Sequence, residues 1–176
     1  MKNAISTKRI TKNAILLALM CIVGMISIPI SANVKPSLQL LMVFIICLTA
    51  ESVFDCITIT SLYLVLGLFL PIYAGFGVGV SPTFGFVISF VVISPVVFFL
   101  NKIPIKNSII RMVIACLCGL FLCYFIGLLF MMLYLQLDFL KTVTIAVVPY
   151  LPFDAVKIYL AVLITSMLPK TVKARM

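Results

Sequence analysis

The sequence predicts an all-α integral membrane protein, a bundle of six transmembrane helices with both termini cytoplasmic, forming one domain over residues 1–176. Three observations carry this. Hydrophobic residues make up 65% of the chain and charged residues 10%, and the mean hydropathy is +1.37, far beyond a soluble domain of average usage. The apolar residues gather into six runs, each close to the roughly 20 residues that a spanning helix needs. Most of the basic residues stand at the ends of those runs, where they set orientation in a bilayer.

The runs and their breakers place spans at about 13–30, 37–53, 56–71, 83–101, 109–134 and 146–168. The first follows Lys8, Arg9 and Lys12 and precedes Ser31 and Ala32, which imitates a signal peptide; the multispan pattern downstream makes it a retained helix. A loop bounded by Pro29 and Pro36 leads to the second span, which meets the third in a tight turn around Glu51 and Asp55. Between spans three and four, residues 71–82 carry Gly75, Gly77 and Gly79 in alternation. The fifth run is long enough to tilt or to end in a partly wet helix. Asp138 and Lys141 then read as a wet loop before span six.

The net charge of +9 is a balance shared with nucleic-acid binders. Here the cations line no polar surface interleaved with stacking aromatics, so nucleic acid is excluded as a partner and the lipid bilayer is the partner implied. Cys21, Cys47, Cys116, Cys118 and Cys123 lie inside apolar runs and Cys56 close to one, as small packing residues. With no histidine and no CxxC pair, neither a metal site nor a disulfide framework is expected, and no cofactor.

Lysine and arginine concentrate in loops that stay inside. An inner N-terminus puts Lys2, Lys8, Arg9, Lys12, Lys102, Lys106, Arg111, Lys170, Lys173 and Arg175 on the cytoplasmic side of a multi-pass protein of the cell membrane, leaving Lys35 and Lys141 outside. The reverse orientation fits badly. Loop 29–36, the glycine-rich loop 71–82 and the head of span six then face outward together.

That head reads PYLPFDAVK, residues 149–157. Asp154 comes about eight residues into span six, roughly 12 Å below its outer end at 1.5 Å per residue, and Lys157 lies one turn deeper on the same face. Mutual neutralisation with a snorkelling lysine is one reading. The functional reading is a polar pocket within the bundle, since intramembrane charges mark ligand or ion pathways. The pair suits a small anionic ligand that also carries amide-like donors.

Several segments resemble the BioY family, the biotin-binding S components of energy-coupling factor (ECF) transporters. ISIPISANVKPSLQ (26–39) is similar to the first-loop signature of that family, SLYLVLGLFLPIYAGFGVG (61–79) to its YLLLGLxGLPVFAGGxGG segment, SPTFGF (81–86) to its GPTGGY, and PYLPFDAVK to its PFxPGDLxK, all in family order. The resemblance implies a six-helix S component that captures biotin from outside. It also implies partners, a transmembrane coupling subunit and two ATPase subunits, and inward release as the S component topples in the membrane. The family's aspartate and lysine map onto Asp154, for the ureido N–H donors, and Lys157, for the valerate carboxylate. Gly75 and Gly77 would suit a loop closing over the ligand. Phe153 stands where the family has glycine, and Ser81 and Phe84 replace two glycines of GPTGGY, changes that add bulk beside the implied pocket. No Arg or Lys lies between Pro36 and Leu100, so Lys157 has at most Lys35 to help it.

Ala14 and Ala18 place two small residues four apart on the first span, which lets another helix approach closely. Intramolecular packing explains such pairs in many helices. The resemblance implies the coupling subunit as the partner of this AxxxA motif.

Other polar residues carry two readings each. Gln39 either reaches the outer pocket or satisfies nearby backbone, and Thr83 either caps span four or touches ligand. Tyr63 and Tyr73 either border a ligand or sit at the membrane interface. Glu51 and Asp55 read as a solvated cytoplasmic turn.

An intramembrane enzyme is the competing class. Asp154 paired with Glu51 or Asp55 imitates a carboxylate dyad, but the topology sets them on opposite sides of the bilayer. No HExxH, GxSxG or Walker A motif is present, and no catalytic residue is assigned. A binder of a different vitamin and an assembly subunit without a ligand are the other classes the sequence allows.

Overall fold

A computed structural model describes residues 7–27 and 36–168. Lys35, most of the first-loop signature and the terminal cations Lys2, Lys170, Lys173 and Arg175 lie outside the described residues. Among those described, the architecture is all-helical: α1 (Thr7–Met25), α2 (Gln39–Thr49), α3 (Val53–Phe69), α4 (Phe84–Leu100), α5 (Ser108–Leu135), α6 (Phe139–Ala146) and α7 (Leu151–Met167).

The sixth predicted span differs most from expectation. Instead of one helix from about residue 146, the chain forms the short α6 and then α7, bent by 52° at the intervening break. Pro149 and Pro152 explain it, because each lacks an N–H donor and neither suits a helix interior; Pro152 instead occupies the first turn of α7, where a missing donor is harmless. Asp154 is therefore in the first turn of its helix, not eight residues into a continuous one. Lys141, expected in a loop, lies on α6, and Asp138 stands just before it; both are exposed.

By length and composition α5 is apolar and long enough to cross a membrane, and α6 with α7 passes the same test as a bent pair. At 28 residues, α5 is about 42 Å long. The helices α2, α3 and α4 are apolar but shorter. All eleven residues of α2 are buried, as expected of a helix that is hydrophobic all round. It packs against α1, α3, α4 and α7, while α4 and α5 form the most extensive pair.

The connections sort the helix ends into two sets. At one end Lys12 donates to the Thr49 carbonyl at 2.8 Å and Asn101 to the Leu48 carbonyl at 3.4 Å, gathering the start of α1 with the ends of α2 and α4. The α2–α3 turn belongs here and corrects an expectation. Glu51 is exposed and lies 3.5 Å from Lys12, but Asp55 is buried, accepts from Arg9 Nε at 3.0 Å and from Asn13 Nδ2 at 2.7 Å. Asp55 also accepts from the Ser52 backbone N–H at 3.0 Å, completing a capping box on α3. A carboxylate so supplied with donors is stable away from water.

At the opposite end, the α3–α4 loop folds over the bundle. Gly75 takes φ 65°, open to glycine at little cost, and donates to the Met25 carbonyl at 3.2 Å. Tyr63, which the sequence places either beside a ligand or at the membrane interface, is fully buried, is not among the cavity-lining residues and donates to the Ile72 carbonyl at 2.9 Å. Gly67 allows the Tyr73 ring to lie against α3, since a Cβ there would overlap that ring. Gly67→Ala is therefore expected to destabilise the protein by about 1–3 kcal/mol, read as a lower melting temperature in detergent; an unchanged melting temperature would contradict this packing.

Candidate ligand site

The loop end of the bundle holds a cavity of about 250 Å³, just below the roughly 300–1,000 Å³ usual for ligand pockets. Its floor is apolar, built from Phe86, Val87 and Phe90 of α4 with Cys123 of α5. Ser37 comes from just before α2 and Gln39 and Leu40 from its first turn, while Tyr73, Ala74, Gly77, Val78, Ser81 and Thr83 come from the α3–α4 connection. Ile145, Ala146 and Tyr150 close it from α6 and the α6–α7 break, while Tyr124, Asp154 and Lys157 supply polar groups from α5 and α7.

Asp154 and Lys157 are only 3% and 6% exposed. Lys157 Nζ donates to Asp154 Oδ1 at 2.6 Å, and the Tyr124 hydroxyl donates to Asp154 Oδ2. The carboxylate also sits in the first turn of α7, where the helix dipole favours negative charge. The bend before α7 thus brings a helix N-terminus, rather than a helix middle, to the buried aspartate. The pair is neutral as a unit and has donors on both carboxylate oxygens, the condition for burying such charges.

The other expected residues divide. Gln39 lines the cavity, accepting from Ser37 Oγ at 3.0 Å and donating to the Tyr63 hydroxyl at 2.6 Å; its side chain is held by side chains, not by nearby backbone. Thr83 lines the cavity and does not cap α4; its hydroxyl lies 3.2 Å from Ser81 Oγ. Tyr73 lines the cavity and is buried rather than interfacial, donating to the Leu64 carbonyl at 2.6 Å. Burial pushes its phenol up to about 12, so it stays a donor at neutral pH. Gly77 lines the cavity, but Gly75 does not; its place is in the turn that carries the loop to α1. Ala14 and Ala18 lie apart from the site and are exposed on α1.

Of the three departures from the family pattern, Ser81 lines the cavity, whereas the two bulky ones, Phe84 and Phe153, do not. Phe153 is half-buried outside it. Phe84 is drawn into a file of rings, 6.2 Å from Tyr73 and 6.0 Å from Phe130, which continues through Tyr63 on one side and Tyr134 on the other. Edge-on and tilted contacts at these spacings are favourable, so Phe84 fastens the loop to α5 instead of filling the pocket.

Sequence reasoning missed Tyr124, Tyr150, Cys123 and the aromatic floor. Tyr124 had one usable signal: it falls near the middle of the fifth run, away from the interfaces where tyrosines gather. The floor residues had none, because Phe86 and Phe90 look like any other apolar residues of a span.

A sequence profile of the BioY family matches residues 1–174. No curated protein matches the sequence. Among solved structures, the chain is similar in fold to one described as the S-component for biotin from an ECF-type ABC transporter, with a TM-score of 0.80 and 24% identity over 94% of this chain and 92% of that one.

The loop's tether generates a test. Tyr73→Phe leaves the Leu64 carbonyl without its phenol donor, a loss of about 1 kcal/mol. Faster hydrogen–deuterium exchange over residues 73–79 is the expected result, and exchange equal to wild type would mean that the phenol does not hold the loop.

Proposed function

The chain belongs to the BioY family, and from that premise we propose that it is the biotin-binding S component of an ECF-type ABC transporter. It is a transport component, not an enzyme. The observation that carries the reading is the neutral Asp154–Lys157 pair, buried and facing a mostly apolar cavity whose other polar lining groups are uncharged. Intramembrane charges placed at a cavity wall mark a ligand path, and an apolar slot with a few placed polar groups is the form of a small-molecule site.

Residues 1–176 act as one substrate-binding unit with six crossings of the cell membrane, α6 and α7 together making the sixth. Both termini are cytoplasmic. The support is charge: Lys8, Arg9 and Lys12 on α1 and Lys102, Lys106 and Arg111 around the α4–α5 connection belong on the inner side, and the cavity is at the other end. Biotin enters from outside, beneath the 71–82 loop. Release inward is driven by a transmembrane coupling subunit and two ATPase subunits, the chain itself having no Walker A motif. Ala14 and Ala18, exposed on α1, suit close approach of a helix of the coupling subunit.

Within the site, Asp154 accepts from a ureido N–H. Lys157 lies 2.6 Å from that carboxylate, whereas biotin's carboxylate ends an extended chain remote from the ureido ring. The two side chains therefore address the ring together, Lys157 donating to the ureido carbonyl. Gln39 and the hydroxyls of Ser37, Ser81 and Thr83 offer polar contacts to the tail from the α2 and loop walls. Tyr73 and Gly77 shape the wall over the ring, and Gly75 contributes through the turn behind it.

Calorimetry of the purified protein against biotin, thiamin and riboflavin tests the reading. Biotin alone is expected to bind, and Asp154→Asn or Lys157→Ala to weaken it by about 3 kcal/mol, the scale for breaking a buried pair. Binding of another vitamin instead would retain the S-component reading and reject biotin. Lys157→Ala should weaken biotin and biotin methyl ester alike; a loss confined to biotin would put the lysine on the carboxylate, as the family resemblance implies.

A further inference from the structure

We infer that Tyr124 is a positioning residue for the ligand-binding carboxylate, fixing the plane of Asp154 so that its unused lone pairs face the cavity. The inference rests on the reading of the cavity as a biotin site. A carboxylate turns easily about its last side-chain bond, whose torsional profile is broad. Held by Lys157 alone, at Oδ1 and from the same helix, Asp154 would retain that freedom. Tyr124 removes it, because its hydroxyl donates to the other oxygen, Oδ2, from α5 and not from α7.

Donors on both oxygens from two helices define an orientation. A carboxylate has about four acceptor positions, and the two donors leave about one on each oxygen. Since Asp154, Lys157 and Tyr124 all line the cavity, the remaining positions are available to an N–H donor of the ligand. Preorganisation of this kind strengthens binding by removing the ordering cost from the association step. Phenylalanine at position 124 would keep the ring and its packing while releasing Oδ2.

The test is a double-mutant cycle on the full-length purified protein with wild type, Y124F, D154N and D154N/Y124F. Affinity for biotin is read by calorimetry and the melting temperature is read without ligand. Y124F is expected to bind biotin about tenfold to a hundredfold more weakly, the range for a hydrogen bond to a charged group. Without ligand, Y124F should lower the melting temperature in the wild-type background and change it less in the D154N background, since the charged acceptor is gone. A residue that only filled space would shift both backgrounds equally, and that additive result overturns the inference. Wild-type biotin affinity in Y124F overturns it as well, leaving the biotin reading intact. Failure of wild type to bind biotin removes the biotin reading itself, and this inference with it.

Discussion

The constraint around which the cavity at the loop end is built is that one carboxylate and one ammonium must be held out of water. The idealised cost of burying such ions is large, and attraction between them offsets it only with good geometry and additional hydrogen bonds. Here the geometry is an i,i+3 pair at 2.6 Å, and the additional donor is Tyr124. The break between α6 and α7 completes the arrangement by starting a new helix just before Asp154. What would be a defect in a uniform spanning helix thereby becomes the means of placing a favourable dipole against a buried anion.

The same economy governs the rest of the end. Within the 71–82 loop Tyr73 and Gly77 exchange backbone hydrogen bonds, and Gly75 and Gly79 tie it to α1 and α3; aromatic side chains add to that order. Tyr63 and Tyr73 donate to backbone carbonyls, and Phe84 and Phe130 continue the contact to α5. Gly67 leaves room for one of these rings. At the other end Arg9 and Asn13 tie α1 to Asp55 at the start of α3, Lys12 and Asn101 donate to the last carbonyls of the wholly buried α2, and Gln39 makes the polar contacts at the start of α2. The cavity at one end and a cationic, hydrogen-bonded end opposite it give the bundle the polarity that the proposed uptake role requires.

Much of this is legible in the sequence. Long apolar runs read as helices because nothing else satisfies backbone groups in lipid, and Asp154 and Lys157 stood out because charges are so scarce. Where the reading fell short, the cause was tertiary. Asp55 looked like a solvated turn residue because its partner, Arg9, is 46 positions away. Pro149 and Pro152 were visible, yet the run around them was apolar enough to pass as one span. Phe84 and Phe153 appeared to crowd the pocket because sequence gives adjacency but not direction. Tyr124 was hidden because its role lies in a hydrogen bond to another helix.

The central claim is that the Asp154–Lys157 pair is kept for ligand recognition and not for stability. Replacing both residues together, Asp154→Leu with Lys157→Met, removes the charges without leaving either one buried alone. The account predicts a folded protein with an equal or higher melting temperature and no measurable biotin binding. Retained biotin affinity in the double variant, or a protein that no longer folds, would contradict it.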